Sequence, residues 1–293
     1  MGVISVLRYP TMLVGGAADH SYVECGSGAV GWGCWGGKSG GTTLRQRAGS
    51  TERAAAIAEP NERAGITTYL LNGVCHQSSN RILLPARTTA DGVRGYTLSV
   101  GLFGPYGRLS SALGKCKAPL HIHEGLTGDI DQCMAQVFDG VPLGGEPLPY
   151  DFQDDRYMSA VGALYRAGVD VDPSILDGFT MQIDLFRELV AHRMRRVRRR
   201  IERRKYGRVM HFREQFEVAR VGAEQSLFFE GNRLGFCQVF DQLTLSFQDD
   251  LAAILDDEEY EDLLGLQRQE RIVISEPRIV QSEYGSTQGG AAS

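Results

Sequence analysis

Residues 66–86, ITTYLLNGVCHQSSNRILLPA, read as an extended run, a tight turn and a helix that opens at a cysteine. The β-branched and aromatic residues Ile66, Thr67, Thr68 and Tyr69 continue through Leu70 and Leu71 to Asn72-Gly73, a strong turn signal. Polar Gln77, Ser78, Ser79 and Asn80 then precede Ile82, Leu83 and Leu84, and Pro85 closes the segment as it would a short helix. The pattern predicts a buried strand over 66–71 and a helix starting near Cys75. A thiol in a first helical turn lies at the positive end of the macrodipole, beside backbone N–H groups that lack an intrahelical acceptor. Both effects favour thiolate, which makes Cys75 the candidate nucleophile. The plainer reading is a small buried apolar residue, since free cysteine is among the most buried residue types.

Toward the N-terminus, VISVLR (3–8) predicts a short strand closed by Pro10. DHSYVECG (19–26) alternates with period two, which predicts a strand carrying His20, Tyr22 and Glu24 on one face. The run GSGAVGWGCWGGKSGG (26–41) predicts a glycine-rich hairpin around Trp32 and Trp35. It does not fit a phosphate loop, because G-x-x-x-x-G-K-[ST] needs glycine where Trp32 stands; Lys38 remains a candidate anion contact. TERAAAIA (51–58) predicts a helix capped by Ser50 or Thr51 and stopped before Pro60.

Toward the C-terminus, VRGYTLSVGLFG (93–104) predicts another strand, turned by Gly104-Pro105-Tyr106-Gly107. Residues 115–133 hold Cys116, His121, His123, Glu124, Asp129, Asp131 and Cys133. The spacing C-x4-H-x-H-x9-C matches no common zinc module, so neither a metal nor a cofactor is expected. From about residue 151 the pattern turns helical, with VDPSILDGF as a connector. In TMQIDLFRELVAHRMRRVRRRIERRK (180–205), Ile183, Phe186, Val190, Met194, Val197 and Ile201 recur at steps of three and four. That is a long amphipathic helix, basic on its other faces. Its charge complements the acidic run DDLAAILDDEEYEDLLG (249–265), and the two are expected to pack together. The phenylalanines between 212 and 247 supply the core of a helical bundle, and the last stretch, 267–293, holds one short strand and ends in a polar tail.

The 293 residues, 42% of them hydrophobic and 23% charged, suffice for one large or two modest domains with a real core. The expected division is an α+β domain over 1–150, a helical domain over 151–270 and a tail over 271–293. No run approaches 18 uninterrupted apolar residues, and the first residues lack an apolar stretch with a cleavage site. Six cysteines without repeated spacing suit a reducing compartment, so a cytoplasmic location is expected.

The order of a strand bearing His20, a glycine-rich hairpin, a short helix, a strand and Cys75 at a helix start resembles the circularly permuted papain-like superfamily. That group includes lecithin retinol acyltransferase and related lipid hydrolases and thiol peptidases. The resemblance rests on DHSYVECG and YLLNGVCHQSSNRIL and covers about residues 15–110. It implies a papain-like antiparallel sheet with a cysteine-bearing helix, here followed by a helical domain. It also implies a thiol hydrolase or acyltransferase in which His20 takes the Cys75 proton and backbone N–H groups of Cys75 and His76 meet the oxyanion. Glu24 or Gln77 would orient the imidazole. A rival base is His121 or His123, oriented by Asp129 or Asp131. The expected substrate is a peptide, protein or acyl lipid, with a protein partner on the helical domain. The alternative is a non-catalytic protein that binds nucleic acid or an anionic membrane through the basic residues 193–208.

Overall fold

The computed structural model describes residues 1–10, 17–26, 31–63, 68–71, 73–107, 166, 173–197 and 201–285. The first part is a four-stranded antiparallel sheet of β1 (Gly2–Tyr9), β2 (His20–Cys25), β3 (Gly31–Trp32) and β4 (Thr42–Gly49), in the order β3-β2-β1-β4. Tyr9 pairs with His20 and Val6 with Val23, so His20 stands at the end of the central β1–β2 ladder. The predicted strands over 3–8 and 20–25 are both present. β4 escaped the sequence reading because its residues are mostly exposed, with Arg45 and Arg47 along an edge that no buried alternation marks.

Helices α1 (Thr51–Arg63) and α2 (Cys75–Ile82) pack on the sheet. The Arg53 N–H donates to Ser50 Oγ at 3.2 Å, the expected cap. α1 does not stop before Pro60 but runs to Arg63. α2 starts at Cys75 as expected and is followed by a 3-10 turn over Leu84–Ala86. In front of it, residues 68–71 form a turn with Leu70 at φ 60°, and Tyr69 makes a single bridge to Gly73. Among the described residues the predicted strand is therefore reduced to that bridge; Ile66, Thr67 and Asn72 lie outside them.

Residues 96–103, expected to be a strand, form helix α3 (Tyr96–Phe103). All eight are buried, so their apolar character has no face and no period to read. The helix begins after Gly95, held at φ 82°, where an added Cβ would stand 2.6 Å from that of Ala18. This close approach needs glycine.

The helical part comprises α4 (Pro173–Arg196), α5 (Arg203–Ala223), a π-helical turn over Glu224–Phe228, α6 (Arg233–Ala252), α7 (Asp257–Leu264) and α8 (Pro277–Tyr284). Pro173 belongs to the first turn of α4 instead of a connector, a position where its missing N–H costs nothing. The predicted helix over 180–205 is two helices: Ile183, Phe186, Val190 and Met194 are buried in α4, while Val197 is exposed and α5 starts beyond it. The acidic run is likewise divided, between α6 and α7, by a turn at Asp256 whose carboxylate accepts the Glu259 N–H at 2.8 Å. Basic and acidic segments do meet. Arg193 Nε donates to Asp262 O at 2.8 Å and Lys205 Nζ lies 2.7 Å from Glu259 Oε2.

Buried side chains from Ile4 to Tyr284 form one hydrophobic cluster that joins the two parts. Phe103 of α3 stacks on Phe240 of α6 at 5.4 Å, and Phe216 meets Phe240 edge-on. The same junction carries a buried ionic ladder on α5. Arg213 donates to the last-turn carbonyls of α3, Gly101 O at 3.0 Å and Leu102 O at 3.2 Å, and to Glu217 Oε2 at 2.7 Å. Glu217 also pairs with Arg220, which pairs in turn with Glu224. Two cations face two anions, and Arg213 neutralises the negative end of α3. Replacing Glu217 with Gln leaves two guanidinium groups sharing one carboxylate in the core. The variant should lose about 3–5 kcal/mol of stability in urea denaturation, while Glu258→Gln on the surface should stay within about 0.5 kcal/mol.

Candidate functional site

Every residue of α2 is buried, although six of its eight are polar or charged. Each polar side chain ties down a different segment. His76 Nδ1 lies 2.8 Å from Ser99 Oγ and Nε2 lies 2.9 Å from Asp19 O. Ser78 Oγ accepts the Cys34 N–H at 3.0 Å, and Ser79 Oγ lies 3.0 Å from Ser21 Oγ on β2. Asn80 donates to Tyr96 Oη and Pro105 O and accepts the Ala90 N–H. Arg81 Nε donates to Tyr106 O at 2.7 Å. The helix is thereby locked against β2, the glycine-rich loop and α3.

Cys75 is the first residue of this helix, and only 9% of its surface is exposed. Burial pushes its thiol up to about 12. The Ser21 backbone and hydroxyl favour the thiolate, nearby Glu276 opposes it, and the His76 backbone favours it weakly. The expectation of a depressed thiol pKa is thus corrected: desolvation outweighs the helix dipole.

His20 has 2% of its surface exposed, and no side chain lies within hydrogen-bond length of either ring nitrogen. Burial brings it down to about 4, against the Gly37 backbone, which favours protonation, while the Lys38 charge adds to the lowering. Gly36, at φ 74°, lies flat on the ring, and a Cβ there would stand 2.6 Å from His20 Cε1. The glycine-rich loop therefore forms a lid on the imidazole that only a residue without a side chain can make. His20 contributes to the wall of a cleft of about 480 Å³, together with Cys34, Trp35, Lys38, Glu276 and Arg278. Cys75 does not reach that wall, and no hydrogen bond joins its sulfur to His20.

Of the predicted site, Cys75 is hydrogen-bonded to Ser21, the neighbour of His20 on β2, whose side chain alternates to the other face of the strand. Gln77 is committed elsewhere: its Oε1 accepts the Val74 N–H at 3.0 Å and its Nε2 donates to Gly104 O at 3.0 Å, which makes it a helix cap. Glu24 sits four residues further along β2, opposite Ser5 and Gly31, about 13 Å of strand from His20. Neither orients the imidazole. His121, His123, Asp129 and Asp131 lie outside the described residues. The carboxylate that does approach His20 is Glu276, whose Oε2 is 3.9 Å from Nδ1. Its sequence, SEPRI, carries only a helix-start signal, and nothing in it points to the other end of the chain.

No family model matches the chain, and neither do the curated proteins or solved structures compared with it. Among the described residues, no group of three or more His, Cys, Asp or Glu side chains is arranged to hold a metal ion. No helix among them is long and apolar enough to cross a membrane.

Two measurements check this electrostatic picture. Alkylation of Cys75 by iodoacetamide, followed by mass spectrometry, should be slower than that of half-buried Cys34 at pH 7 and rise about tenfold per pH unit to pH 10 without a plateau. A plateau below pH 9 would show that the dipole wins. Burial lowers both His20 and His76 from about 6.5 to about 4, so between those values the unfolded chain binds more protons and stability falls as the pH drops. Asp241, raised to about 6 by burial, acts in the opposite direction. The difference between wild type and His20→Gln isolates the imidazole: the variant's melting temperature should depend less on pH between 6.5 and 4.

Proposed function

We propose that the chain is a cysteine-nucleophile hydrolase or acyltransferase that acts on an amide, isopeptide or ester through an acyl-enzyme, with Cys75 as nucleophile and His20 as general base. The observation that carries this reading is the His20 imidazole, buried in the wall of a cleft with no side chain within hydrogen-bond length of either nitrogen. An unsatisfied buried polar group costs about 1–3 kcal/mol, and at a cleft wall it is placed to meet a group that enters the cleft. Cys75 stands at the start of a helix whose first N–H groups point out of the helix end.

The protonation states define the route. With sulfur protonated and imidazole neutral, the resting pair is thiol and base, not thiolate and imidazolium. The proton passes to His20 as the sulfur attacks the carbonyl carbon, and the carbonyl electron pair moves onto oxygen. Backbone N–H groups of Cys75 and His76 receive that oxyanion. Its collapse expels an amine or alkoxide, which takes the proton back from the imidazolium and leaves a thioester on Cys75. Water or an amine then attacks the thioester with His20 again as base, and the acyl group leaves.

Arg203, Arg204 and Arg208 stay exposed on α5, which supports the second reading of a surface for nucleic acid or anionic membrane. It does not account for the imidazole buried at the cleft wall, and the enzyme reading is preferred for that reason.

p-Nitrophenyl acetate is a suitable first probe. The full-length protein should release a burst of about one equivalent of p-nitrophenol and acquire an acetyl group on Cys75, visible by mass spectrometry. Cys75→Ser and His20→Ala should each lower the burst rate at least about 100-fold without loss of fold. A burst that survives both substitutions would rule out the pair.

A further inference from the structure

The C-terminal segment is fastened across both members of the proposed pair. Ala18 N–H, two residues before His20, donates to Val273 O at 3.0 Å, and Ala17 bridges to Val273. Glu276 N–H donates to Tyr69 Oη at 2.8 Å, and Tyr284 Oη donates to Tyr69 O at 2.7 Å. α8 is thus pinned at both ends to Tyr69, which itself stands beside Cys75.

This fastening sets the backbone of Glu276 at the N-cap of α8, yet its side chain makes no capping bond to that helix. Its carboxylate faces His20 Nδ1 at 3.9 Å. The carboxylate and the imidazole, which the Gly37 backbone also approaches, therefore stand about 1 Å beyond hydrogen-bond length. Gly36 and Glu276 both border the cleft at the ring, Gly36 in close contact with it.

We propose that Glu276 is the positioning residue of His20, its carboxylate accepting a hydrogen bond from Nδ1–H and so leaving Nε2 free to take the Cys75 proton. The inference rests on the pairing of His20 with Cys75. The groups facing His20 are His76 from α2, the Gly37 backbone and Lys38 from the glycine-rich loop, Tyr22 from its own strand and Glu276 from the strap; Arg278 acts on Glu276. Glu276 is the one carboxylate in this set. It selects the tautomer and stabilises the imidazolium that forms during attack.

The test uses the full-length protein and Glu276→Gln, Glu276→Ala and Glu276→Asp, with p-nitrophenyl acetate as substrate and nitrogen-15 NMR of the His20 ring. In wild type the ring should be the Nδ1–H tautomer, and in Glu276→Ala that preference should be lost. Glu276→Gln should lower kcat about 100-fold with KM within about threefold, and move the acid limb of the kcat profile to lower pH, because the imidazolium loses its counter-charge. Glu276→Asp should recover at least a tenth of the lost rate. An unchanged tautomer in Glu276→Ala overturns the proposal whatever the activity. Equally, an unmoved acid limb and kcat in Glu276→Gln, alongside inactive Cys75→Ser and His20→Ala, overturns the role of Glu276 and leaves the pair standing. Activity that survives Cys75→Ser and His20→Ala removes the pair instead, and the catalytic role of Glu276 with it.

Discussion

A helix of polar residues buried on all sides sets the terms for the whole molecule. α2 has no outer face: Cys75 to Ile82 are all enclosed, and each polar side chain is satisfied by a different part of the chain. Burying such groups without partners would cost several kcal/mol in total, so the sheet, the glycine-rich loop, α3 and the 105–106 turn must all be in place together. The bonds from Ser79 to Ser21, Ser78 to Cys34, Asn80 to Pro105 and Arg81 to Tyr106 make the helix a hub. This requirement holds Cys75 in one position, and it also deprives the thiol of water.

The same logic continues into the helical part. α3 presents its last carbonyls to Arg213, and the charge of Arg213 is balanced by Glu217, which also holds Arg220. A buried ladder of this kind adds little net stability but strongly disfavours any arrangement that separates its members. With the Phe103–Phe240 stack beside it, the ladder fixes the register of the bundle against the α+β part. The C-terminal segment then closes the fold by reaching back to Ala18 and Tyr69, and it is this return that delivers Glu276 to His20.

At the site, low polarity and pre-set geometry act in opposite directions on the two proposed partners. Desolvation keeps the Cys75 sulfur protonated and the His20 ring neutral, so neither group carries charge at rest. A site with these properties is quiet toward general alkylating agents.

Local pattern alone determined β1 and β2, the Ser50 cap, the start of α2 at Cys75 and the helical character of the second half, because period, capping and turn signals are encoded within a few residues of where they act. Tertiary structure decided the rest. Residues 96–103 became a helix because burial on every side removed the period that would have identified them. The helix over 180–205 was divided, and the thiol was held protonated, by packing that no short segment foretells. Gln77 went to a cap and Glu24 to the far end of its strand, while Glu276 reached His20 from the opposite end of the chain. The charge that faces a buried imidazole depends on which distant segments fold over it, and that is a property of the closed structure, not of the residues beside it in sequence.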